Sequence, residues 1–310
     1  MTTHLATLFD KKYVLRALSL YESAQVFLPE NQFWFLCLDQ VSFDLLASLG
    51  LKNTHLKKLV DINDRELLAV RSTRPANEFA FTCKSAWVNY ILESSEVRPD
   101  DMLIWADADI LFFTEATDYI DKLQRIGSIG ITPHGFSKEK EKQFGRYNAG
   151  MIFFKNDQNT KVCIKEWRQQ CLESCKIKRE EGKLGDQMYL DAWPQKYARV
   201  YDIVHPGVNL GTWNIHKYKI RKSGEGKFLV ANEPLICYHF HGLQFYLARN
   251  KKIKPYPINV YHNEIYRHYT HSLQKSYEKV LQVDPGWQYE FASKPDVLRL
   301  IKQKILKMFR

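Results

Sequence analysis

The sequence predicts an α/β fold in which an open, mostly parallel sheet is flanked by helices. Short apolar segments typical of buried strands alternate along the chain with longer segments of helical periodicity. Asp10, Asp39 and Asp107 each follow one of the apolar segments directly. Ligands of such sheets bind beyond the carboxyl ends of the strands, so these carboxylates indicate a binding site at one edge of the sheet.

The first third of the chain predicts strand and helix in strict alternation. The apolar residues of each strand stand in continuous runs, as expected for strands covered on both faces, and those of each helix recur at three or four residues. Strands are predicted at residues 7–10, 33–39 and 56–60, and helices at 14–23, 43–49 and 81–92.

Beyond residue 113 the alternation continues with more irregular connections. A strand is predicted at 126–132, and the charged run 137–142 is predicted to be a solvated loop. Asn148, Ala149 and Gly150 predict a turn before an apolar strand at 151–154, and a helix follows at 161–177. Gly185 is predicted to open a helix through Asp186 and Gln187, residues 205–214 to form an irregular loop, and residues 235–242 to form a last strand-like segment.

The stretch 102–113 consists of two apolar runs separated by Asp107 and Asp109. In an extended strand residues i and i+2 point to the same side, so both carboxylates are predicted to face one spot. Close carboxylates repel each other unless a cation or a shared proton lies between them, and oxygen ligands suit Mg²⁺ or Mn²⁺. Asp-x-Asp also occurs in solvated turns and helix caps. Because charges inside a core strand are costly without a partner, the context favours a metal site that grips a diphosphate.

The composition is that of a basic globular protein. The chain has 310 residues, 45% of them hydrophobic and 26% charged, with a net charge of +10. Such a balance fits nucleic acid, an anionic membrane or phosphorylated substrates. The sequence contains no zinc-finger, RNP-type or helix-turn-helix pattern, so nucleic acid is not expected as a partner.

The cysteines indicate a reducing compartment. None of the six forms a C-x-x-C pair, which argues against a zinc site. Cys163, Trp167, Cys171 and Cys175 recur every fourth residue, as expected for buried, reduced thiols on one helix face. With no signal-peptide pattern and no run of about 18 apolar residues, we expect a cytoplasmic protein.

Five motifs in a fixed order carry a resemblance to a known family. They are Asp10-x-x-Tyr13, Asp107-x-Asp109, Tyr147-Asn148-Ala149-Gly150, Gly185-Asp186-Gln187 and His239-Phe240-His241-Gly242. Together they resemble the GT-A glycosyltransferases, and most closely relatives of the retaining hexosyltransferases of family 8 and nucleotide-diphospho-sugar transferases of bacterial polysaccharide clusters. The resemblance implies a Rossmann-like, open mixed sheet and transfer of a hexose from a nucleotide-diphosphate sugar, a UDP-sugar by preference, to a glycan or lipid-linked acceptor in surface polysaccharide synthesis.

The resemblance also implies roles for individual residues. Those assigned to the metal, Mn²⁺ or Mg²⁺, are Asp107, Asp109 and His239, with His241 as an alternative ligand; those assigned to donor binding are Asp10, Tyr13, Lys84, Asn148 and Asn209; those assigned to catalysis are Asp186 and Gln187. Simpler alternatives exist for several of them. Asp10 and Asp186 could cap helices, Lys84 could be an exposed helix residue, and a histidine in an apolar strand is often a hydrogen-bonded core residue.

One feature departs from the family 8 pattern. After Gly242 the family has a Lys-Pro-Trp segment whose lysine holds the diphosphate, whereas this chain reads Leu243-Gln244-Phe245, with Arg249 and Lys251 further on. A retaining enzyme needs no catalytic base and suits Gln187, whereas Asp186 would serve as the base of an inverting one. Two rival functions share the fold: a sugar-nucleotide pyrophosphorylase, which should have a glycine-rich loop after the first strand, and a non-catalytic nucleotide-sugar-binding protein. No glycine precedes Gly50.

The sequence predicts two parts, a catalytic domain at 1–245 and a basic helical extension at 246–310. The end of the extension, 296–310, places apolar residues at three- and four-residue spacing among five basic residues. Such a helix packs on its own domain or lies on an anionic bilayer, and the second reading would place the protein at the inner face of the membrane.

Overall fold

The computed structural model describes residues 2–177, 184–255 and 263–293. Helices and strands are numbered separately along the chain. The strands are β1 (Thr3–Phe9), β2 (Gln32–Cys37), β3 (Thr54–Lys58), β4 (Met102–Ala106), β5 (Ile110–Phe112), β6 (Ile129–Pro133), β7 (Tyr147–Lys155), β8 (Val200–Asp202), β9 (Leu210–Gly211), β10 (Ile220–Lys222), β11 (Phe228–Val230), β12 (Glu233–Pro234), β13 (Cys237–His239), β14 (Phe245–Leu247) and β15 (Ile253–Pro255). The α-helices are α1 (Val14–Phe27), α2 (Gln40–Leu49), α3 (Arg65–Val70), α4 (Ala76–Leu92), α5 (Thr117–Ile126), α6 (Lys138–Phe144), α7 (Gln158–Glu173), α8 (Trp193–Lys196) and α9 (Asn263–Val283).

A mixed sheet of seven strands, in the order β3-β2-β1-β4-β7-β6-β8, forms the centre of the protein. Strands β3, β2, β1 and β4 run parallel, whereas β7 runs antiparallel to both β4 and β6. The amino end of β7 therefore lies at the same sheet edge as the carboxyl ends of β1, β4 and β6. This direction brings Asn148, at the start of β7, to the edge where Asp10 and Asp107 follow their strands, and the prediction of an open mixed sheet flanked by helices is confirmed.

The sheet separates two hydrophobic cores, because alternate side chains of a strand point to opposite faces. In β4, Met102, Ile104 and Ala106 belong to the core that contains α1, whereas Leu103 and Trp105 belong to the core that contains α4 and α7. All five residues are at most 1% exposed. A strand buried on both faces reads as a continuous apolar run, and this is why β4 was recognisable in the sequence.

A second, three-stranded sheet in the order β5-β13-β9 lies beside the carboxyl end of β4. Strand β13 runs antiparallel to β5 and parallel to β9, and His239 is paired with Ile110 and with Gly211. Since β5 begins directly after the two aspartates, this small sheet carries His239 to the Asp-x-Asp segment.

Three local predictions were wrong in form. Asp107 to Asp109 do not continue the strand but make a tight turn, in which the Ile110 amide donates to the Asp107 carbonyl at 3.0 Å. The run 137–142 forms most of helix α6, which Ser137 caps by accepting from the Lys140 amide. Asn148 to Gly150 belong to β7 itself, where the register with β6 shifts after Ile131.

Two further elements differ from their predictions. Gly185, at φ +54°, and its two successors form a turn that leads into a short 3₁₀ helix, Met188–Ala192, rather than opening an α-helix. The polar segment before α4 contains helix α3, which Asp64 caps through the Leu67 amide. Cys163, Trp167 and Cys171 lie buried on one face of α7, as predicted, and all six cysteines are buried and unpaired.

The described residues after β15 pack on the amino-terminal part of the chain. Helix α9 lies against α1 and α2, and Trp287 and Glu290 beyond it are buried. Within the described residues, no helix is long and apolar enough to cross a bilayer. The basic helix predicted at 296–310 lies outside the described residues, and the division of the chain at residue 245 stays a prediction.

Candidate metal and nucleotide-sugar site

The Asp-x-Asp turn is held in place by the strands on either side of it. The Asp107 amide donates to the Gly150 carbonyl of β7 at 2.8 Å. On its side-chain side, the Asp107 Oδ1 accepts from the Trp105 indole Nε1 at 2.9 Å. Asp109 is more enclosed, with its side chain 10% exposed against 28% for Asp107. The turn therefore presents one buried and one accessible carboxylate at the sheet edge.

His239 brings an imidazole to both carboxylates. Its Nε2 lies 3.0 Å from the Asp109 Oδ1 and 3.9 Å from the Asp107 Oδ2. Burial alone would lower the pKa of His239, but the charge of Asp109, its hydrogen bond to the ring and the charge of Asp107 together outweigh burial and raise that pKa. Burial would likewise raise the pKa of Asp109, and His239 beside it lowers it instead to about 2. The two groups form a buried ion pair that could exchange its proton for a cation.

The residues present fit a divalent metal. Asp109, His239 and the exposed His241 each offer a ligand atom, and these atoms lie within 4.8 Å of one another. Carboxylate oxygen together with imidazole nitrogen is a donor set that suits Mn²⁺, and carboxylate oxygen also suits Mg²⁺. The Asp107 Oδ2 lies 3.9 Å from the His239 Nε2, at the edge of this group. The structure therefore brings the three predicted ligands and the alternative His241 together.

A second layer of polar side chains orients His239. Its Nδ1 lies 3.2 Å from the Asn209 Oδ1. The Asn209 amide nitrogen donates to the Thr132 hydroxyl at 2.7 Å and to the Asn148 Oδ1 at 2.9 Å, which fixes which end of the amide faces the imidazole. Because an amide oxygen only accepts, Nδ1 carries a proton and Nε2 is left to face the carboxylates. Outer hydrogen bonds of this kind are typical of metal-binding histidines.

Gly150 explains why the Asn-Ala-Gly segment lies where it does. A Cβ on Gly150 would lie 2.4 Å from the His239 Cε1 and 2.7 Å from the Asn148 Oδ1. The Gly150 amide donates to that same Asn148 oxygen at 2.8 Å. The absence of a side chain thus lets His239 pack directly on β7, and the shift in strand register there turns Asn148 towards Asn209.

Lys84 of α4 is buried between two carboxylates. Its Nζ lies 3.1 Å from the Asp107 Oδ1 and 2.8 Å from the Asp186 Oδ2. It also donates to the Ala149 carbonyl at 3.0 Å. Burial alone would lower the pKa of Lys84, but the two carboxylates outweigh it and raise that pKa. An ammonium group has three protons, and each has an acceptor here, so Lys84 links the Asp-x-Asp turn, β7 and the segment that contains Asp186.

Asp186 and Gln187 stand on the same side of the sheet in different surroundings. Asp186 is 5% exposed and faces Lys84, and its carbonyl accepts from the Trp167 indole at 3.0 Å. The Gln187 Nε2 donates to the Phe144 carbonyl at the end of α6, at 2.9 Å. Helix capping is not what Asp186 does here.

Asp10 and Tyr13 occupy the turn between β1 and α1. The Asp10 Oδ1 accepts from the Lys12 amide at 2.9 Å, and burial raises the pKa of this carboxyl. The Tyr13 ring is 42% exposed and covers the Arg16 guanidinium at 4.4 Å from its centroid. Both residues stand at the edge where Asp107 follows the neighbouring strand β4.

Sequence reasoning missed several residues that build this site. Thr132 supports Asn209, and Trp105 supports Asp107, but a threonine and a tryptophan in apolar strands give no local signal of such a role. The buried ion pair between Arg16 and Glu290 was not predicted either, since the two residues are 274 positions apart in the chain. Their meeting depends on the path of the whole polypeptide.

The chain is similar to two proteins of Bacillus subtilis (strain 168). It is 30% identical to the uncharacterized protein YfnF over 252 residues, which are 78% of this chain and 82% of YfnF. It is 27% identical over 248 residues to the uncharacterized protein YfnD, which covers 78% of each chain. No family model matches the sequence.

Solved structures show the same architecture. The galactosyltransferase LgtC, in complex with donor and acceptor sugar analogs, superposes with a TM-score of 0.54 at 15% identity, over 96% of this chain and 99% of LgtC. The glycosyltransferase GlyE of Streptococcus pneumoniae TIGR4 superposes with a TM-score of 0.50 at 14% identity, over 96% of this chain and 66% of GlyE. At such identities the likeness establishes the fold, which is the GT-A fold of glycosyltransferases.

Proposed function

The chain belongs to the family of the Bacillus subtilis protein YfnF and has a GT-A fold, and from this premise we propose that it is a metal-dependent glycosyltransferase. It moves a hexose from a nucleotide-diphosphate sugar, a UDP-sugar by preference, to a glycan or lipid-linked acceptor. The reaction breaks the bond between the anomeric carbon and the diphosphate oxygen and forms a bond from that carbon to an acceptor hydroxyl oxygen, and the hydroxyl proton passes to the departing diphosphate.

The observation that carries the proposal is the convergence of Asp107, Asp109 and His239. Two segments far apart in the sequence meet at one sheet edge, where the His239 Nε2 lies 3.0 Å from the Asp109 carboxylate and 3.9 Å from the Asp107 carboxylate. A bound Mn²⁺ or Mg²⁺ would supply Lewis-acid neutralisation of the departing diphosphate. Asn209 holds the His239 ring so that its free nitrogen faces that position.

Asp10 and Tyr13 bind the base and ribose of the donor in this proposal. They follow β1, the strand next to β4, and the exposed Tyr13 ring offers an aromatic face to a nucleobase. Asn148 and Asn209 line the same edge beside the metal ligands, near the donor sugar. Lys84 contributes by keeping Asp107 and Asp186 in place, since all three of its protons have acceptors.

We favour retention of the anomeric configuration. A base of an inverting enzyme has to accept a proton from the acceptor hydroxyl. The Asp186 carboxylate is buried and engaged by Lys84 at 2.8 Å, which argues against that role. A retaining enzyme needs no base, so in this proposal Gln187 serves on the attack side of the anomeric carbon, and Asp186, held by Lys84, accepts hydrogen bonds from hydroxyls of the donor sugar.

The deciding experiment incubates the protein with UDP-hexoses and Mn²⁺ and follows release of UDP and free hexose. We expect slow donor hydrolysis that stops in EDTA and in Asp109→Ala, while the exposed Asp118→Ala of α5 keeps it. A sugar-nucleotide pyrophosphorylase would instead release sugar phosphate on addition of pyrophosphate, and a binding protein would release nothing. Hydrolysis that continues unchanged in EDTA would refute the metal assignment.

A further inference from the structure

The first turn of α1 is completed by a residue from the other end of the chain. The early amide groups of a helix have no partner within the helix, and Tyr13, which precedes α1, gives it no side-chain cap within the described part of the chain. The Leu15 amide instead donates to the Glu290 Oε2 at 2.5 Å. A carboxylate at this position also interacts favourably with the helix dipole.

Arg16 extends this contact to two further segments, residues 12–13 and residues 243–245. Its guanidinium forms an ion pair with Glu290, whose side chain is fully buried. It donates to the Leu243 carbonyl at 2.8 Å, just beyond the His239 segment, and to the Lys12 carbonyl at 3.2 Å. The Tyr13 and Phe245 rings lie on it at 4.4 Å and 4.6 Å.

The carboxyl-terminal segment is thereby attached to the proposed donor site at several points. The Ala292 amide donates to the Phe245 carbonyl at 2.9 Å, and the Lys11 ammonium lies 4.6 Å from the centroid of the Tyr289 ring. Residues 289–292 therefore lie against both the turn 10–13 and the segment after His239.

We infer that Arg16 and Glu290 are positioning residues for the nucleotide part of the donor, an inference that rests on the proposed function. Neither is a ligand of the metal. Glu290 fixes the start of α1, and Arg16 fixes one face of the Tyr13 ring and the position of Leu243. The pair thereby sets the distance between the turn at residues 10–13, which would hold the nucleotide, and His239, which would hold the metal. The described parts of the extension, 246–255 and 263–293, are then components of the donor site.

The test compares removal of this ion pair with removal of another. Breaking one partner leaves a buried charge, whereas replacing both with apolar residues commonly preserves the fold. The test variant is Arg16→Met/Glu290→Leu. The control is Asp64→Asn/Arg168→Met, which removes the ion pair between α3 and α7, with Nη2 and Oδ1 at 2.6 Å.

The measurements are the affinity for UDP in the presence of Mn²⁺, by calorimetry, and the kinetics of donor hydrolysis. We expect the test variant to bind UDP about tenfold more weakly and to raise KM with little change in kcat, as expected when binding common to ground and transition states is lost. Glu290→Gln, which keeps an acceptor for the Leu15 amide, should lose less. The control should bind UDP as the wild type does.

Hydrogen exchange of the free protein gives a readout that does not depend on the donor. The amide hydrogens of residues 11–18 should exchange faster in the test variant than in the wild type. Their exchange rates should be unchanged in the control. Wild-type UDP affinity in a folded test variant, or equal losses in test and control, would overturn the inference. A wild-type protein that binds no UDP overturns the donor assignment itself, which is a different result from binding that the variant leaves intact.

Discussion

At the scale of single residues, the site depends on the side chain that orients His239, the proposed metal ligand. Asn209 adopts a φ of +52°, a conformation that asparagine tolerates better than most residues. Its amide contacts Thr132, Asn148 and His239 at 2.7, 2.9 and 3.2 Å. The orientation of the His239 ring is therefore set by the Asn209 amide as well as by the Asp109 carboxylate.

We predict that Asn209→Ala weakens Mn²⁺ binding by about 10- to 100-fold, the usual effect of removing an outer partner of a metal-bound histidine. The variant leaves His239 free to rotate and to carry its proton on Nε2. Calorimetric titration with Mn²⁺ measures the affinity. Asn159→Ala is the matched control, because among the described residues the Asn159 amide donates to the Ala198 carbonyl, at the surface and away from the site. Unchanged affinity in Asn209→Ala would remove this residue from the site.

Gly150→Ala should abolish metal-dependent donor hydrolysis. The added methyl would lie 2.4 Å from His239 and 2.7 Å from Asn148, so the imidazole has to move away from the Asp-x-Asp turn. Gly224→Ala is the control, since nothing lies within 4 Å of its Cβ position. Hydrolysis in the presence of Mn²⁺ measures the effect, and a Gly150→Ala protein as active as the control would show that this close approach is dispensable.

At the scale of helices and strands, the sequence predicted elements that carry their own pattern. Strand β4 was visible because burial on both faces requires apolar residues throughout, and Asp107 and Asp109 stood out against that run. The tight turn that these two aspartates form could not be predicted from the sequence, because an i, i+2 spacing of two polar residues is compatible with a turn as well as with a strand. The same limit applies to Asn148 and Gly150, whose place in β7 depends on the pairing with β6.

The seam between β1, β2 and β4 contains a histidine that is expected to make stability depend on pH. The Trp34 indole donates to the His4 Nδ1 at 3.1 Å, and the His4 Nε2 lies 3.5 Å from the Asp101 Oδ2. An indole N–H only donates, so the neutral ring suits these partners. Burial lowers the pKa of His4, although Asp101 opposes the shift.

Because the pKa of His4 is lower in the folded than in the unfolded protein, the unfolded state takes up the proton first as pH falls below 6.5. We therefore predict that the urea midpoint of unfolding decreases as pH falls from 6.5 towards the lowered pKa, and that the contribution of His4 is constant above this window. His4→Asn retains an acceptor for Trp34 and should reduce the decrease. Parallel slopes for wild type and variant between pH 7 and pH 5 would contradict the prediction.

At the scale of the whole molecule, residues 289–292 lie against the start of α1, beside the proposed donor site. Helix α9 packs on α1, and Glu290 reaches the first turn of α1 from 275 positions away. Nothing in the sequence indicated this contact, because a lone glutamate between two aromatic residues carries no pattern. The sequence predicted the sheet and several of its helices, and it named candidate site residues, but it did not predict their assembly with residues 246–255 and 263–293.

The last prediction concerns residues 296–310, which lie outside the described residues. Their sequence predicts an amphipathic helix, in which Leu298, Ile301, Ile305 and Met308 form an apolar stripe among Arg299, Lys302, Lys304, Lys307 and Arg310. We propose that this segment binds the anionic inner face of a membrane, where a lipid-linked acceptor would be within reach. Each basic residue near such a surface contributes about 1 kcal/mol, and salt screens the attraction.

Co-sedimentation with vesicles tests this placement. The full-length protein and a version that ends at Lys294 are mixed with vesicles of anionic or of neutral lipid at low and at high salt. We expect the full-length protein to sediment with anionic vesicles at low salt and to be released by salt, because electrostatic attraction supplements the burial of the apolar stripe. The shortened version should stay in solution, and donor hydrolysis by both versions serves as the control for folding. Equal sedimentation of the two versions, or of neither, would exclude a membrane role for 296–310 and leave packing on the protein itself as the function of this segment.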